Sequence, residues 1–471
     1  MCGGFISAWM PGSVRHLARV AGIALVVLLL ASIGASDASA KKKRNSPLPS
    51  SVLGFAPNTN ATSKDMKRMA HAGASTVRFN LSWWVVQRRS YWPMDWKRSD
   101  RFVKRAAEAG LDVNMMLGTT PVWARTSRDV DRWTPPLHSD EAKRAWARFV
   151  RSAAAQYGHD GTFWKHHPNL TYRPVAWTVW NEPNLPRYWG GPAQPGVFAR
   201  FLEYTSDALR EVDPQGEIIA GGLFCQGPWK AFLSQFYLSA DQSSYDAIAI
   251  HPYNEQPFGV YRIVRGARNI MDRAGDDAEL WIDEISWGTE VRQHRFTKTP
   301  KKQAKNMRIL FQLLETNQEA LNLGKVLWYG FRDDPESNIC HFCASSGLWF
   351  EGGKEPKPAW FVYKGFGAEP GSAISGRVVR RNRHPVAGQE VYLDLNKSRS
   401  YDDGEPLVTT GDNGRFKFKR LYPTKYLVRV DPSKDKACSR PRNCTLKAKV
   451  ASGKAKRKQT FFVAKAKHHR G

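Results

Sequence analysis

Short runs of β-type residues alternate eight times with longer amphipathic stretches through the first 365 residues, and nothing else in the sequence restricts the fold so strongly. The runs are Val52–Ala56, Ser75–Leu81, Asp112–Leu117, Val175–Trp180, Glu217–Gly222, Asp246–Ile250, Leu280–Ile285 and Lys325–Gly330. Between them lie helical patterns such as RFVKRAAEAG, EAKRAWARFVRSAAAQY, VFARFLEYTSDALREV and KKQAKNMRILFQLLET. The last is preceded by Thr299-Pro300, a capping residue followed by the proline that suits a first helical position. A closing helix is expected near Ala359–Gly365. Eight such units over 51–368 predict an α/β chain folded as a (β/α)8 TIM barrel, whose loops after the strands would carry the chemistry. A doubly wound sheet is the alternative, but no GxGxxG or P-loop follows the first strand.

From about Ile374 the pattern changes to period-two alternation with turn residues, SGRVVRRNRHPVAGQEVYLDL, then TTGDNGRFKFKRLYPTKYLVRV, then KRKQTFFVA, which predicts a small all-β sandwich over 372–465. The order G-x-V, P-V-x-G-x-x-V and G-x-F-x-F-x-x-L-x-P-x-x-Y resembles the carboxypeptidase-regulatory-like, prealbumin-type modules appended to many secreted enzymes. That resemblance implies an accessory or adhesive role and carries no catalytic residue.

At the other end, the apolar run Val20–Ala35 follows Arg15, His16 and Arg19 and precedes Ala38-Ser39-Ala40, the small-x-small look of a signal-peptidase site. A signal peptide over 1–40, a basic linker over 41–50 and an extracellular mature chain, open to association with the cell wall, are therefore expected. The competing reading is a membrane anchor, for which the run is shorter than the usual ~20 residues, so no stable span is expected after processing. Cleavage would leave Cys225, Cys340, Cys343, Cys438 and Cys444, a number compatible with two short-range disulfides and one thiol. Cys438 with Cys444 is one candidate pair. Cys340 with Cys343 reads as a loop staple in preference to a metal or redox site, because no second CxxC accompanies it.

The net charge of +28 is unevenly spread: residues 371–471 hold 25 Lys/Arg against 8 Asp/Glu and so carry +17 of it. In an exported chain such a region suits an acidic cell-wall polymer or anionic glycan, or is a solvated tail. A nucleic-acid partner is not expected, since no helix-turn-helix or finger pattern is present.

Two glutamates stand where a barrel would use them. Glu182, in VAWTVWNEPN, lies just past the fourth candidate strand, and Glu284, in ELWIDEISWG, lies at the tip of the seventh. The motif W-x-x-W-N-E-P on the fourth strand, with a glutamate ending the seventh, resembles the clan of retaining (β/α)8 glycoside hydrolases over about residues 51–368. Within it, LGTTPVWA and the HPY sequence resemble family 39-like and family 5-like members. Carried over residue by residue, the resemblance implies Glu182 as acid/base, Glu284 as nucleophile and Asn181 as the partner of the sugar 2-hydroxyl. Arg78 would stand beside the nucleophile, with Tyr253 reaching it and His251 near the acid/base. It further implies Trp328 as an aromatic platform under the sugar, with Trp189 and Trp287 as weaker candidates, and an oligo- or polysaccharide substrate with neither metal nor cofactor. One departure is visible: no histidine follows the third strand, which removes support for cellulase specificity. Strand alternation would turn Asp283 away from Glu284, so it is expected to be structural. The competing reading is a non-catalytic glycan- or wall-binding protein on the same scaffold.

Overall fold

The computed structural model describes residues 47–465 apart from 50, 58–60, 290–293, 338, 339, 341 and 432–435. The expected signal peptide, most of the basic linker and the tail beyond Lys465 lie outside the described residues. Among the described residues no helix is long and apolar enough to cross a membrane.

Eight strands form a closed parallel barrel in sequence order: β1 (Leu53–Ala56), β2 (Thr76–Ser82), β3 (Asp112–Gly118), β4 (Val175–Asn181), β5 (Glu217–Phe224), β6 (Ala247–His251), β7 (Glu279–Ile285) and β8 (Leu323–Tyr329). The ring closes where β8 pairs with β1, Trp328 opposite Phe55. Each strand matches its predicted run to within two residues at either end. Eight helices alternate with them: α1 (Ser63–His71), α2 (Lys97–Glu108), α3 (Asp140–Tyr157), α4 (Pro195–Arg210), α5 (Trp229–Phe236), α6 (Pro257–Arg273), α7 (Pro300–Thr316) and α8 (Pro358–Gly367). Their starts follow from local chemistry. Thr62 and Asp65 make a capping box on α1, Ser139 caps α3, and Thr299 caps α7 with Pro300 behind it.

The barrel interior is layered. At the bottom Ala176, Ile219, Ala247, Ala249 and Trp281 form a small apolar cluster of their own. Above it a buried Thr178 hydroxyl donates to Asn114 Oδ1 at 2.7 Å. Further up the same inward positions become charged: His251 continues the parity of Ala247 and Ala249, and Asp283 that of Trp281. The buried charges His251 and Asp283 thus stand at the C-terminal mouth, above an apolar layer.

Two four-stranded sheets follow. β9 (Ser372–Arg380), β12 (Arg415–Leu421), β14 (Lys436–Arg440) and β16 (Ala455–Lys465) make one in the order β12-β9-β16-β14. β10 (Glu390–Asp394), β11 (Leu407–Thr409), β13 (Lys425–Val430) and β15 (Thr445–Lys449) make the other, β11-β10-β13-β15. All pairings are antiparallel except β9 with β16. The sheets dock chiefly on the C-terminal turns of α7 and α8, the helix ends that face away from the mouth. Tyr422 stacks on Phe366 at 4.9 Å, and Gln312 accepts from the Tyr422 amide and the Tyr426 hydroxyl at 3.2 and 3.0 Å. Disulfides join Cys340 to Cys343 and Cys438 to Cys444, and Cys225 is a buried thiol.

Where α1 turns into β2, Gly73 has φ +95°, and a Cβ there would lie 2.2 Å from the carbonyl carbon of Gly367. Gly73→Ala is expected to cost roughly 1–3 kcal/mol or more of stability. Gly110→Ala, at φ +74° but with no atom within 4 Å of the added Cβ, should cost only about 1 kcal/mol. Denaturant titration of the two variants checks the difference.

Candidate active site

Four strand ends converge at the mouth. β4 leaves the regular strand at its tip, where Trp180 and Glu182 have φ of +69° and +46°. Such backbone costs about 1–3 kcal/mol per residue and persists only where surroundings impose it. Here the Glu182 amide donates to Gly222 O at 3.0 Å, and Asn184 clamps the Phe224 backbone, donating to its carbonyl at 2.8 Å and accepting from its amide at 3.0 Å. The result aims a buried Glu182 carboxyl into the mouth.

β7 carries a bulge. Ile282 pairs with Val326 and Ile285 with Trp328, so three steps on β7 face two on β8. The extra residue breaks the alternation, and Asp283 and Glu284 both project toward the site. This corrects the expectation that Asp283 is turned away from the site. Asp283 is fully buried, its Oδ1 is 3.1 Å from His251 Nε2 and its Oδ2 is 3.5 Å from Arg78 Nε.

Arg78, rising from β2, ties the pieces together. One terminal nitrogen pairs with Glu284 Oε1, and the other donates to Asn181 Oδ1 at 2.8 Å. Tyr253 donates to Glu284 Oε2 at 3.1 Å, and His251 Nδ1 lies 2.7 Å from Glu182 Oε1. The carboxylate oxygens of Glu182 and Glu284 come within 4.8 Å of each other.

The charges follow from these contacts. Burial raises the Glu182 carboxyl above its ordinary range, and the nearby negative charge of Glu284 adds to this against His251 and Arg78. Burial by itself would raise Asp283 as well, but Arg78 and then His251 outweigh it and hold that carboxyl low. Burial works against the His251 cation, yet Glu284 and Asp283 prevail and push the imidazole up to about 10. Burial also raises the Tyr253 phenol, aided by Glu284, so it stays a donor. Glu182, His251 and Glu284 surround a point that could in outline take a cation. A protonated imidazole and the Arg78 guanidinium make it a poor one.

The aromatic expectations fare differently. Trp328 is fully buried, its Nε1 donating to Ser346 O at 3.0 Å and its ring 6.1 Å from the equally buried Trp287. Neither has a face open to a ligand, which corrects the platform expected of Trp328 and the weaker candidacy of Trp287. Trp189 is likewise packed against Phe198 and Phe201. Two tyrosines that the sequence reading passed over lie near the charges instead. Tyr329, next to Trp328, has its phenol raised by burial and by Glu284, and that of Tyr188 is pushed up to about 12 by burial and Glu182. Trp133 packs edge-on against Tyr188 at 4.9 Å. The only signal for Tyr188 was its place in the turn after Asn-Glu-Pro.

No family model and no curated protein matches the chain by sequence. Solved structures do resemble it. A family 39 glycoside hydrolase from Bacteroides cellulosilyticus WH2 superposes with a TM-score of 0.55 at 16% identity, covering 89% of this chain and 79% of that one. A monomeric β-xylosidase from Caulobacter crescentus CB15 gives 0.53 at 13% identity, over 80% of this chain and 96% of that one. A family 39 enzyme from Xanthomonas axonopodis pv. citri gives 0.52 at 14%, over 80% and 93%. The chain has the fold of these glycoside hydrolases. At the C-terminal mouth of this barrel Arg78, Asn181, Glu182, His251, Tyr253, Asp283 and Glu284 meet.

Asp283→Asn would remove one of the two carboxylates that sustain the His251 cation. The imidazole should then titrate well below about 10, an effect that histidine-selective NMR across a pH series would detect.

Proposed function

We propose that the protein is an exported retaining glycoside hydrolase that cleaves β-O-glycosidic bonds in oligo- or polysaccharides by double displacement. One observation carries the reading: two carboxyl groups with oxygens within 4.8 Å of each other sit in opposed environments. Retaining enzymes need a separation of about 5–5.5 Å, whereas inverting ones leave about 6.5–9.5 Å for a water.

Glu182, kept protonated by burial, serves as the acid. With His251 Nδ1–H donating to Oε1, its own proton is left on the other oxygen, free to reach the leaving group. Glu284, held by Arg78 and Tyr253, attacks the anomeric carbon as the C–O bond breaks, and the leaving oxygen takes the Glu182 proton. Glu182, now a base, removes a proton from water, which displaces Glu284 and restores both groups. Asn181, fixed by Arg78, would bond the sugar beside them. The chemistry needs no cofactor. Export rests on the leader pattern around Val20–Ala35 and Ala38-Ser39-Ala40.

The test is sugar release from aryl β-glycosides, β-xylosides among them, and from plant and microbial polysaccharides, with product anomers followed by NMR. Wild type should release sugar with retention, and Glu284→Gln should lose about 10⁴-fold or more. Glu182→Ala should lose about 10²–10⁴-fold on poor leaving groups and recover on added azide with activated ones. Because burial raises Glu182, its acid form is lost as pH climbs through that raised value, so the alkaline limb of kcat/KM should disappear in Glu182→Ala. Inverted product would overturn the mechanism. No release from any substrate would favour the glycan-binding alternative.

A further inference from the structure

The four strands of the β12-β9-β16-β14 sheet contain 12 Lys/Arg and not one Asp or Glu. The inner face of this sheet is ordinary core: Ile374, Val378, Phe416, Phe418, Phe461 and Val463 are buried. The outer face is basic. Arg415, Lys417 and Lys419 alternate with the buried phenylalanines of β12 and are exposed, as is Arg377 on β9. Arg377 stands directly opposite Arg415 across the antiparallel pair, an arrangement of like charges that weakens a sheet. Lys456, Arg457 and Lys458, at the start of β16, add three more exposed cations beside β9. Among the described residues none of these seven side chains is paired with a carboxylate.

We propose that this outer face binds an anionic polysaccharide, with Arg377, Arg415 and Lys417 at its centre. Same-face residues along a strand are about 6.5–7 Å apart and neighbouring strands about 4.8 Å apart, a grid that matches a chain bearing one carboxylate or sulfate per sugar. A bound polyanion would also relieve the Arg377–Arg415 repulsion. The face lacks what other polyanionic partners use. None of the exposed large apolar side chains lies on these four strands, so there is no anchor for a bilayer and no aromatic platform on which bases could stack. The end of β12 docks through Arg420 and Tyr422 on the C-terminal turns of α7 and α8, which face away from the mouth, so a polymer held on this sheet leaves the catalytic mouth open.

The experiment measures binding of the full chain to polygalacturonate and to dextran sulfate, with neutral dextran, phosphatidylglycerol vesicles and duplex DNA in parallel. Binding to one or both anionic polysaccharides is expected, weakening as salt is raised, with neutral dextran inert. The triple variant Arg377→Glu, Arg415→Glu, Lys417→Glu should weaken binding by about tenfold or more while its thermal unfolding stays close to wild type. Should that variant not fold, Lys417→Glu with Lys419→Glu, on the same outer face of β12, is expected to weaken binding in the same direction. Unchanged affinity in a folded variant, equal binding of neutral dextran, or tighter binding to vesicles or DNA would each overturn the proposal.

Discussion

A guanidinium sealed inside the barrel mouth is the constraint on which the site depends. Taking Arg78 out of water costs several kcal/mol, and the cost is offset only where carboxylates with good geometry surround it. Those carboxylates come from β7, 206 positions along the chain in the case of Glu284, while the second arm of the guanidinium is taken by Asn181 on β4. These contacts join strands that are not neighbours in the sheet, so they depend on the closed barrel. Loss of either β7 carboxylate would leave a buried cation partly uncompensated.

Asp283 gives this network its asymmetry. In the proposed reaction Glu284 gives up its charge when it bonds to the sugar, which would strand Arg78 and His251 as buried cations if Glu284 were their only counter-ion. Asp283 contacts both, is fully buried and is held low by them. It can thus stay ionised throughout, so the field around the anomeric carbon need not collapse when Glu284 is consumed. The bulge in β7 makes this possible, because it brings two adjacent carboxylates to one side of a strand that would otherwise separate them.

That bulge also marks the boundary of what the sequence reveals. The barrel was legible because its strands are buried on both faces and separated by capped amphipathic helices, and the fold follows directly from that pattern. Arg78, Asn181, Glu182, His251, Tyr253 and Glu284 were singled out through the resemblance of their motifs to a glycosidase clan, and the barrel gives the side chains on and after its strands a shared mouth in which to meet. Asp283 was misread because period-two alternation holds only for a regular strand, and a bulge leaves no mark in composition. Trp328 was misread for a different reason: its indole N–H is satisfied by Ser346, in a loop 18 residues on, and no local pattern encodes that closure. Docking of the accessory sheets through Gln312, Tyr422 and Phe366 was invisible for the same reason.

The strong positive charge of the C-terminal domain has a structural cause beyond its many lysines and arginines. Several of the few acids there are committed to other work. Asp394 accepts from the amides of Lys397 and Ser398 and pairs with Arg429. Glu405 accepts from the amides of Leu395 and Asp402, and Asp403 pairs with Arg265 of the barrel. At the docking surface the barrel supplies the carboxyl, Glu315, which burial pushes up to about 8 against the pull of Arg420. Acids spent on loop closure and docking cannot neutralise an outer sheet face. Arg420 and Arg429 serve docking and loop closure, whereas Arg377, Arg415, Lys417 and Lys419 face solvent on the outer sheet, an arrangement that leaves these four available to a ligand instead of to the fold.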